Sequence, residues 1–456
     1  MKRTDRSRPM FKTPGAYFFI NLGCPKNLVD AEIVASTLDD SGWCKAPSME
    51  QADLIVVTTC AFIAPAEEES VDTILAVAAK KRENQKLAVL GCLVSREKER
   101  LAELLPEVDV FLDVKEMIRL EEIVNPADRA FRESITYTTE GIRKRFFTPR
   151  HIAYLKISEG CSNHCSYCLI PSIRGENKSY PREYIVGEAE RFSREGVKEA
   201  VVIAQDTAVW GRDLYGDYGL YELLSDIQRS ASFRWLRLMY LHPGHIDVES
   251  LIGVLKRGLI VPYLDIPIQH ASDSVLRSMR RGYGKKDLER LFDRLRDEVE
   301  DLVLRTTVIV GFPGETEDDF DELVQFIEDH PFDHLGVFAF SREKGTPAFD
   351  FIDQVPAEDA EMRKEEILDI QMDISSSRLS RLQGRKVEVI IDSVLSEDER
   401  PESGIWGIGR FYGQAYDIDG VTFVGGERFE PGTMIEARVK RVEAYDVFVD
   451  AERDLG

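Results

Sequence analysis

The 456-residue chain is predicted to be an α/β protein in three parts. These are an N-terminal doubly wound parallel-sheet domain over 1–145, a central partial (β/α) barrel over 150–382 and a small antiparallel β-barrel over 383–456. Three observations predict it. Short apolar runs rich in β-formers alternate with helical periodicity through the first two parts, as strands joined by crossover helices would. Polar or sulfur-bearing residues follow those runs. Beyond Gln383 the pattern changes to short apolar stretches punctuated by Gly and Pro, without helical spacing.

In the first part the runs 17–21, 54–58 and 87–90 read as strands, and 30–39, 66–81 and 96–105 as helices. Cys24 in NLGCPKN, Cys60 in VVTTCAF and Cys92 in AVLGCLV each lie just past one strand. The spacing predicts all three in loops at the carboxyl edge of the sheet, where open α/β sheets bind ligands, so the three would converge in one crevice. Three buried core cysteines are the plainer alternative, since free Cys is often buried. Repetition at equivalent positions favours a metal site. Cys44, beside Trp43 and off that edge, is expected to be a small buried hydrophobe.

In the second part the strands are expected at 153–157, 200–203, 235–239, 263–266, 304–310 and 335–340. After them come a cysteine triplet, Gln205 with Asp206, His242, Gln269 with His270, the turn Gly311-Phe312-Pro313-Gly314-Glu315, and Ser341-Arg342-Glu343. Solvated loop polarity accounts for any one cluster, but six at strand carboxyl ends match the pattern of a β/α-barrel enzyme. Residues 357–381 read as a connecting helix, and 387–391, 405–411, 421–424, 434–439 and 447–449 as the five strands of the last barrel.

The triplet is Cys161, Cys165 and Cys168, spaced C-x-x-x-C-x-x-C in EGCSNHCSYCLIP. A structural zinc takes four ligands in two close pairs, and no second pair follows here. A zinc knuckle with His164 as fourth ligand is the competing reading, disfavoured because His164 sits too tightly inside the triplet. Three thiolates suit a 4Fe-4S cluster with one iron left open to a small molecule.

Bulk composition bounds the rest. Seven cysteines, an odd number in a long chain, argue against a secreted disulfide framework and for thiolates kept reduced for metal. No apolar run is long enough to span a membrane and the basic start lacks the apolar core of a signal peptide, so a cytoplasmic protein is expected. The balance of 59 basic against 82 acidic residues, a net −23, repels nucleic-acid phosphates and favours a basic protein as macromolecular partner.

The triplet, with Tyr167 ahead of its last cysteine, is similar to that of radical S-adenosylmethionine enzymes. Three spread cysteines, the triplet and a terminal barrel together resemble the methylthiotransferase family over nearly the whole chain. LGCPKNLVDAE, AYLKISEGC, IPSIRG, AQDTAVWGRDLYG, YLDIPIQHAS and TTVIVGFPGETEDDF look most like its branch that modifies a ribosomal protein. GRFYGQAYDIDGVTFV resembles that branch's terminal TRAM barrel. Two residues depart from the pattern: Asp113 stands where glycine is usual and Thr58 where asparagine is usual.

The resemblance implies insertion of a methylthio group at the β-carbon of one aspartate of small-subunit ribosomal protein S12. It implies two 4Fe-4S clusters, one on Cys161, Cys165 and Cys168 whose open iron chelates S-adenosylmethionine, the other on Cys24, Cys60 and Cys92 with an iron free to carry sulfide or methylsulfide. Both open irons should face one cavity. Cofactor contacts are expected from Tyr167, Gln205, Asp206, Gln269, His270, Gly311, Gly314 and Glu315, although the 311–315 stretch reads equally well as a plain tight turn. An electron-donor protein is implied as a second partner, with no membrane. Direct nucleic-acid binding is disfavoured, because from Arg385 onward nine basic residues face sixteen acidic ones, 9 − 16 = −7. A tRNA-adenosine methylthiotransferase is the alternative within the class; the run Arg143-Lys144-Arg145 would serve it, but reads more readily as a solvated linker. Outside the class stand an iron-sulfur electron carrier, which gains nothing from open irons, and an RNA-binding module, which would not be this acidic.

Overall fold

A computed structural model of the protein describes residues 10–11, 13–124, 143, 146–216 and 219–456. The basic start up to residue 9, the end of the first part beyond residue 124, and Lys144 with Arg145 lie outside the described residues.

The first sheet contains β1 (Ala16–Asn21), β2 (Cys44–Lys45), β3 (Leu54–Thr59), β4 (Lys86–Gly91) and β5 (Val110–Leu112), all parallel, in the order β2-β1-β3-β4-β5. Helices α1 (Pro25–Asp40), α2 (Ala64–Lys80), α3 (Cys92–Leu104) and α4 (Leu120–Val124) complete it. The run LIVVTT of β3 is buried throughout, as a strand covered on both faces must be. The expectation for Cys44 is corrected: it is exposed on the two-residue edge strand β2. Trp43, only 3% exposed, takes the buried position, and the next side chain turns outward. Asp113, in place of glycine, accepts from the backbone N–H of Lys115 and Glu116 and so closes the turn after β5.

The second sheet runs β13-β12-β11-β10-β9-β6, again all parallel. Its strands are β6 (Ile152–Lys156), β9 (Glu199–Ile203), β10 (Trp235–Leu238), β11 (Tyr263–Asp265), β12 (Val303–Val310) and β13 (His334–Ala339). A two-stranded antiparallel ribbon, β7 (Ser158–Glu159) and β8 (Lys178–Ser179), flanks the cysteine triplet together with the short helix α5 (Ile170–Arg174). The outer face is covered by α6 (Arg182–Arg194), α7 (Leu220–Ser230), α8 (Val248–Lys256), α10 (Lys285–Glu298), α11 (Glu317–Asp329) and the long α12 (Ala357–Ser380), while α9 (Asp273–Ser278) lies beyond the end of β11. The inner face is filled differently. Val29 and Ile33 of α1 pack there with Tyr154, Trp235 and Tyr263 of the sheet and Ala415 of the third domain, so neighbouring domains close the lumen of the open barrel.

The third domain is a closed barrel of β14 (Lys386–Val394), β15 (Ile405–Phe411), β16 (Thr422–Gly426), β17 (Met434–Val442) and β18 (Val447–Asp454) in the order β14-β15-β16-β18-β17. Its pairs are antiparallel except β16 with β18, which is parallel and qualifies the expected antiparallel barrel. Five strands in a ring cannot alternate direction all the way round, so one neighbouring pair must run the same way. This barrel plugs the amino ends of the central strands. Glu199, fully buried, accepts from Arg237 at 2.7 Å and from Arg410 at 2.6 Å, and Arg410 continues to Asp392, which pairs with His151 at 2.9 Å. Asp419 accepts from Tyr263 Oη at 2.7 Å and faces Arg305 at 3.4 Å.

Arg143 corrects the expected solvated linker. It is fully buried, donates to Tyr154 O at 2.7 Å and stands 3.4 Å from Glu32 of α1 and 3.7 Å from Glu188 of α6. Two buried carboxylates need a cation between them, and the linker supplies it.

Burial by itself would raise the pKa of Glu199, Asp392 and Asp419, but their arginine and histidine partners hold all three below the ordinary 4.5 and 3.8. A carboxylate depressed in the folded state contributes stability above its unfolded pKa and loses it as pH falls through the folded value. Urea midpoints are therefore expected to fall steeply below about pH 4, with the third domain releasing first. A midpoint unchanged from neutrality to about pH 3 would contradict this. No helix among the described residues is long and apolar enough to cross a membrane.

Candidate functional site

Parallel strands deliver the first three cysteines to one edge. Cys24 is the N-cap of α1, Cys60 follows β3, and Cys92 opens α3 directly after β4, where the sequence pattern predicts an intervening loop and the structure has none. Gly91 makes that abrupt join with φ +106, and a Cβ there would stand 2.9 Å from Thr59 O. Asn27 ties the three segments together. Its Nδ2 donates to Leu22 O at 3.2 Å and Thr59 O at 3.0 Å, and its Oδ1 accepts from the Cys92 thiol at 3.4 Å. A Cβ on Gly23 would stand 3.3 Å from Cys60 Sγ, so Cys60 packs against the residue preceding Cys24. Thr58, in place of asparagine, is buried and donates to Asn21 Oδ1 at 3.1 Å, a bond within the sheet.

The triplet loop is pinned on several sides. Gly160 (φ +76) precedes it, and a Cβ there would stand 2.2 Å from Glu176 O, so only glycine lets β7 approach the strand's return. Cys161 N donates to Gly175 O, Ser166 N to Met279 O, and Asn163 Nδ2 to Asp206 Oδ2 at 3.0 Å. Arg281, 7% exposed, donates to Cys165 Sγ at 3.3 Å, Tyr167 Oη at 3.4 Å, Tyr283 Oη at 2.7 Å and Pro267 O at 3.0 Å. Those partners carry no carboxylate.

One side chain links the helix that follows the triplet to the first cysteine set. Arg174, on α5 just past Cys168, donates to Asp30 and Glu159 at 2.9 Å each, to Asn27 Oδ1, and to Cys92 Sγ at 3.4 Å. Lys156 meets the same Asp30 and Glu159, and Gln205 Nε2 donates to Glu159 at 3.3 Å. Burial opposes ionisation of Glu159, yet Lys156 and Arg174 hold it down at about 2. A continuous polar chain thus runs from the carboxyl end of β9 to Cys92.

The expected cofactor contacts divide. Gln205 and Gln269 are half-buried, and Gln269 takes φ +69 to form a bridge with Val308. Asp206 and His270 are buried and hydrogen-bonded. Asp206, 2% exposed, accepts from Ala208 N, Asn163 and His245, and His270, fully buried, accepts from Ser272 N at Nδ1. Asp206, His242 and His245 offer ligand atoms within 4.8 Å of one another, but those of Asp206 already serve hydrogen bonds. Gly311 and Gly314 both have positive φ. A Cβ on Gly311 would stand 2.3 Å from Ala360 Cβ, so packing against α12 demands that glycine. Glu315 accepts from Phe312 N at 3.0 Å, within its own turn, and from Arg363 of α12 at 2.8 Å. Tyr167 packs with Phe312 and Phe340 behind the triplet. Asn27, Arg174 and Arg281 were not foreseen as site residues; of these only Asn27 carried a local signal, three residues after Cys24.

The donor set fits iron-sulfur clusters. Each group of three cysteines has one thiol receiving a buried guanidinium N–H, the kind of contact that tunes a cluster. Burial pushes the thiols of Cys92, Cys161 and Cys168 up to about 12, 11 and 12, so they keep their protons at neutral pH until metal displaces them. Around the triplet the buried atoms Ser158 Oγ, Asn177 Oδ1 and Gln205 Oε1 have no partner, which suits a polar guest. A cleft of about 370 Å³ lined by Arg150, His151 and Lys198 opens at the opposite, amino ends of β6 and β9, far from this chemistry.

Family models match three stretches: Uncharacterized protein family UPF0004 over residues 16–113, the Radical SAM superfamily over 155–327 and the TRAM domain over 384–451. The chain is 40% identical over 440 residues to the ribosomal protein uS12 methylthiotransferase RimO of Sulfurihydrogenibium sp., covering 95% of this chain and 98% of that one. It is 40% identical to the protein of the same name from Aquifex aeolicus, covering 94% and 95%. Among solved structures, the radical S-adenosylmethionine methyltransferase TsrM from Kitasatospora setae, with cobalamin and a 4Fe-4S cluster bound, superposes with a TM-score of 0.54 at 14% identity over 74% of each chain, a likeness of fold alone.

Proposed function

Because the chain belongs to the ribosomal protein uS12 methylthiotransferase family, we propose that it inserts a methylthio group at the β-carbon of an aspartate in ribosomal protein S12. The observation that supports this reading is Arg174, which sits on the helix just past the triplet and donates to Asp30 of α1 and to Cys92 of the other three-cysteine set. Cys161, Cys165 and Cys168 would hold the cluster that binds S-adenosylmethionine, and Cys24, Cys60 and Cys92 a second 4Fe-4S cluster. When bound, these groups supply a 5′-deoxyadenosyl radical, a sulfur carrier and a methyl donor. The chain's own residues do the rest. Arg281 offers a buried positive charge beside Cys165, where a negatively charged guest gains most in a low dielectric. Gln205 and Gln269 supply polar groups at strand ends for the nucleoside side, with Tyr167, Gly311, Gly314, Asp206, His270 and Glu315 holding the walls. Helix α1 and the third domain fill the lumen with apolar side chains and keep water from a reactive carbon-centred species.

Charge supports a protein substrate over tRNA. Of the nine basic residues from Arg385 onward, Arg410 is buried and Arg385, Lys386, Arg438, Lys440, Arg441 and Arg453 are already paired with carboxylates, leaving little to neutralise phosphates. A basic ribosomal protein meets such a surface favourably. A reducing partner protein must deliver electrons. The test is mass spectrometry of S12 and of tRNA from cells with and without this gene. A gene-dependent mass increase on an S12 aspartate is expected; one on tRNA adenosine with S12 unchanged would overturn the reading.

A further inference from the structure

One buried cation beside the first cysteine set stands without a carboxylate to meet it. Lys26, the second residue of α1, is 8% exposed, and its Nζ lies 3.1 Å from the centroid of the Tyr240 ring at the end of β10. It is within electrostatic reach of Cys24 on one side and Asp265 on the other. Asp265 is engaged elsewhere: its Oδ1 pairs with Arg305 at 3.0 Å and its Oδ2 accepts from Tyr240 N at 3.2 Å. The neighbouring cations Lys156 and Arg174 are matched by Asp30 and Glu159. Among the described residues Lys26 has the Tyr240 ring as its partner and forms no ion pair. Tyr240 itself takes φ +63, a conformation a bulky residue adopts only where its surroundings force it, and here it sets the ring under the ammonium.

An ammonium withdrawn from water over an aromatic face recovers only part of its lost hydration, and an arriving anion recovers more. We propose that Lys26 binds the side-chain carboxylate of the substrate aspartate and thereby selects aspartate over its amide; the inference rests on the substrate reading above. The chemistry favours this choice of anchor. The carboxylate carbon is bonded directly to the β-carbon that must lose hydrogen and gain sulfur, so holding the carboxylate fixes the reacting C–H one bond away. The position suits it as well, since Lys26 belongs to the helix capped by Cys24 yet lies against the barrel strands that follow the triplet in sequence.

The test uses anaerobic, iron-loaded protein and fluorescent synthetic peptides of the S12 target loop carrying either the aspartate or asparagine in its place, with affinity read by anisotropy and iron counted for each variant. The parental protein should prefer the aspartate peptide. Lys26→Met should lose about tenfold or more in affinity for that peptide, keep its affinity for the asparagine peptide and hold the parental iron content, and Lys26→Arg should recover most of the loss. Equal weakening toward both peptides would assign Lys26 a merely structural role, and loss of iron would assign it to cluster assembly; either overturns the inference. Parental binding of the aspartate peptide matched by Lys26→Met overturns this inference alone. A parental protein that binds neither peptide overturns the substrate reading and this inference with it.

Discussion

Alanine at position 24 is expected to abolish methylthio insertion while cleavage of S-adenosylmethionine persists. Cys24 caps α1 without a side-chain capping bond, and the helix start rests on its backbone carbonyl, which accepts from Leu28 N at 3.2 Å. The substitution therefore removes a thiol and spares the helix. Contacts around the triplet come from Arg281, Asn163 and Ser166, none of which touches α1. Loss of an outer contact to a metal ligand commonly costs about 10–100-fold, and loss of a ligand should cost at least the upper end, so methylthiolated product should fall by about a hundredfold or more. Iron should drop from about eight to about four atoms per chain. Anaerobic assay of 5′-deoxyadenosine, methylthiolated peptide and iron on one preparation separates the outcomes. Intact methylthiolation in the variant would remove Cys24 from the mechanism.

Arg410→Met is expected to give the largest loss of stability. Arg410 is 2% exposed and joins Glu199 of the central barrel to Asp392 of the third domain. Its removal leaves Asp392 with His151 alone and Glu199 with Arg237 alone, in a junction where water cannot take over. Breaking a buried pair on one side costs roughly 3–5 kcal/mol, most of it the penalty of the stranded charge. The exposed pair of Arg453 with Glu436, tested as Arg453→Met, should matter far less, because solvent already screens it. Urea unfolding of the two variants gives the comparison; similar midpoints would mean that the junction is not held by its charges.

The central strands were legible to within a residue or two because each is an apolar run ending in a polar cluster, a pattern that local sequence carries whole. The first three cysteines were legible as a group for a topological reason: parallel strands end on the same edge, so loops far apart in sequence meet. The groups that serve those cysteines were not. Arg281 lies 116 residues from Cys165 and Arg174 lies 82 residues from Cys92, and no periodicity announces either contact. Asn27 and Lys26 sat in plain view beside Cys24, but their side chains matter through Thr59 and Tyr240, which only the folded chain brings near.

By itself the sequence determined the order and type of the elements, the two sets of three cysteines and the acidic character of the last domain, since these depend on residue spacing and composition. Tertiary structure decided that Cys44 faces outward, that Arg143 is buried between two carboxylates, that His270 and Glu315 are buried, and that α1 with the third domain closes the lumen. Burial and charge pairing are properties of contacts between distant segments, and a side chain takes its role from the neighbours that packing assigns to it.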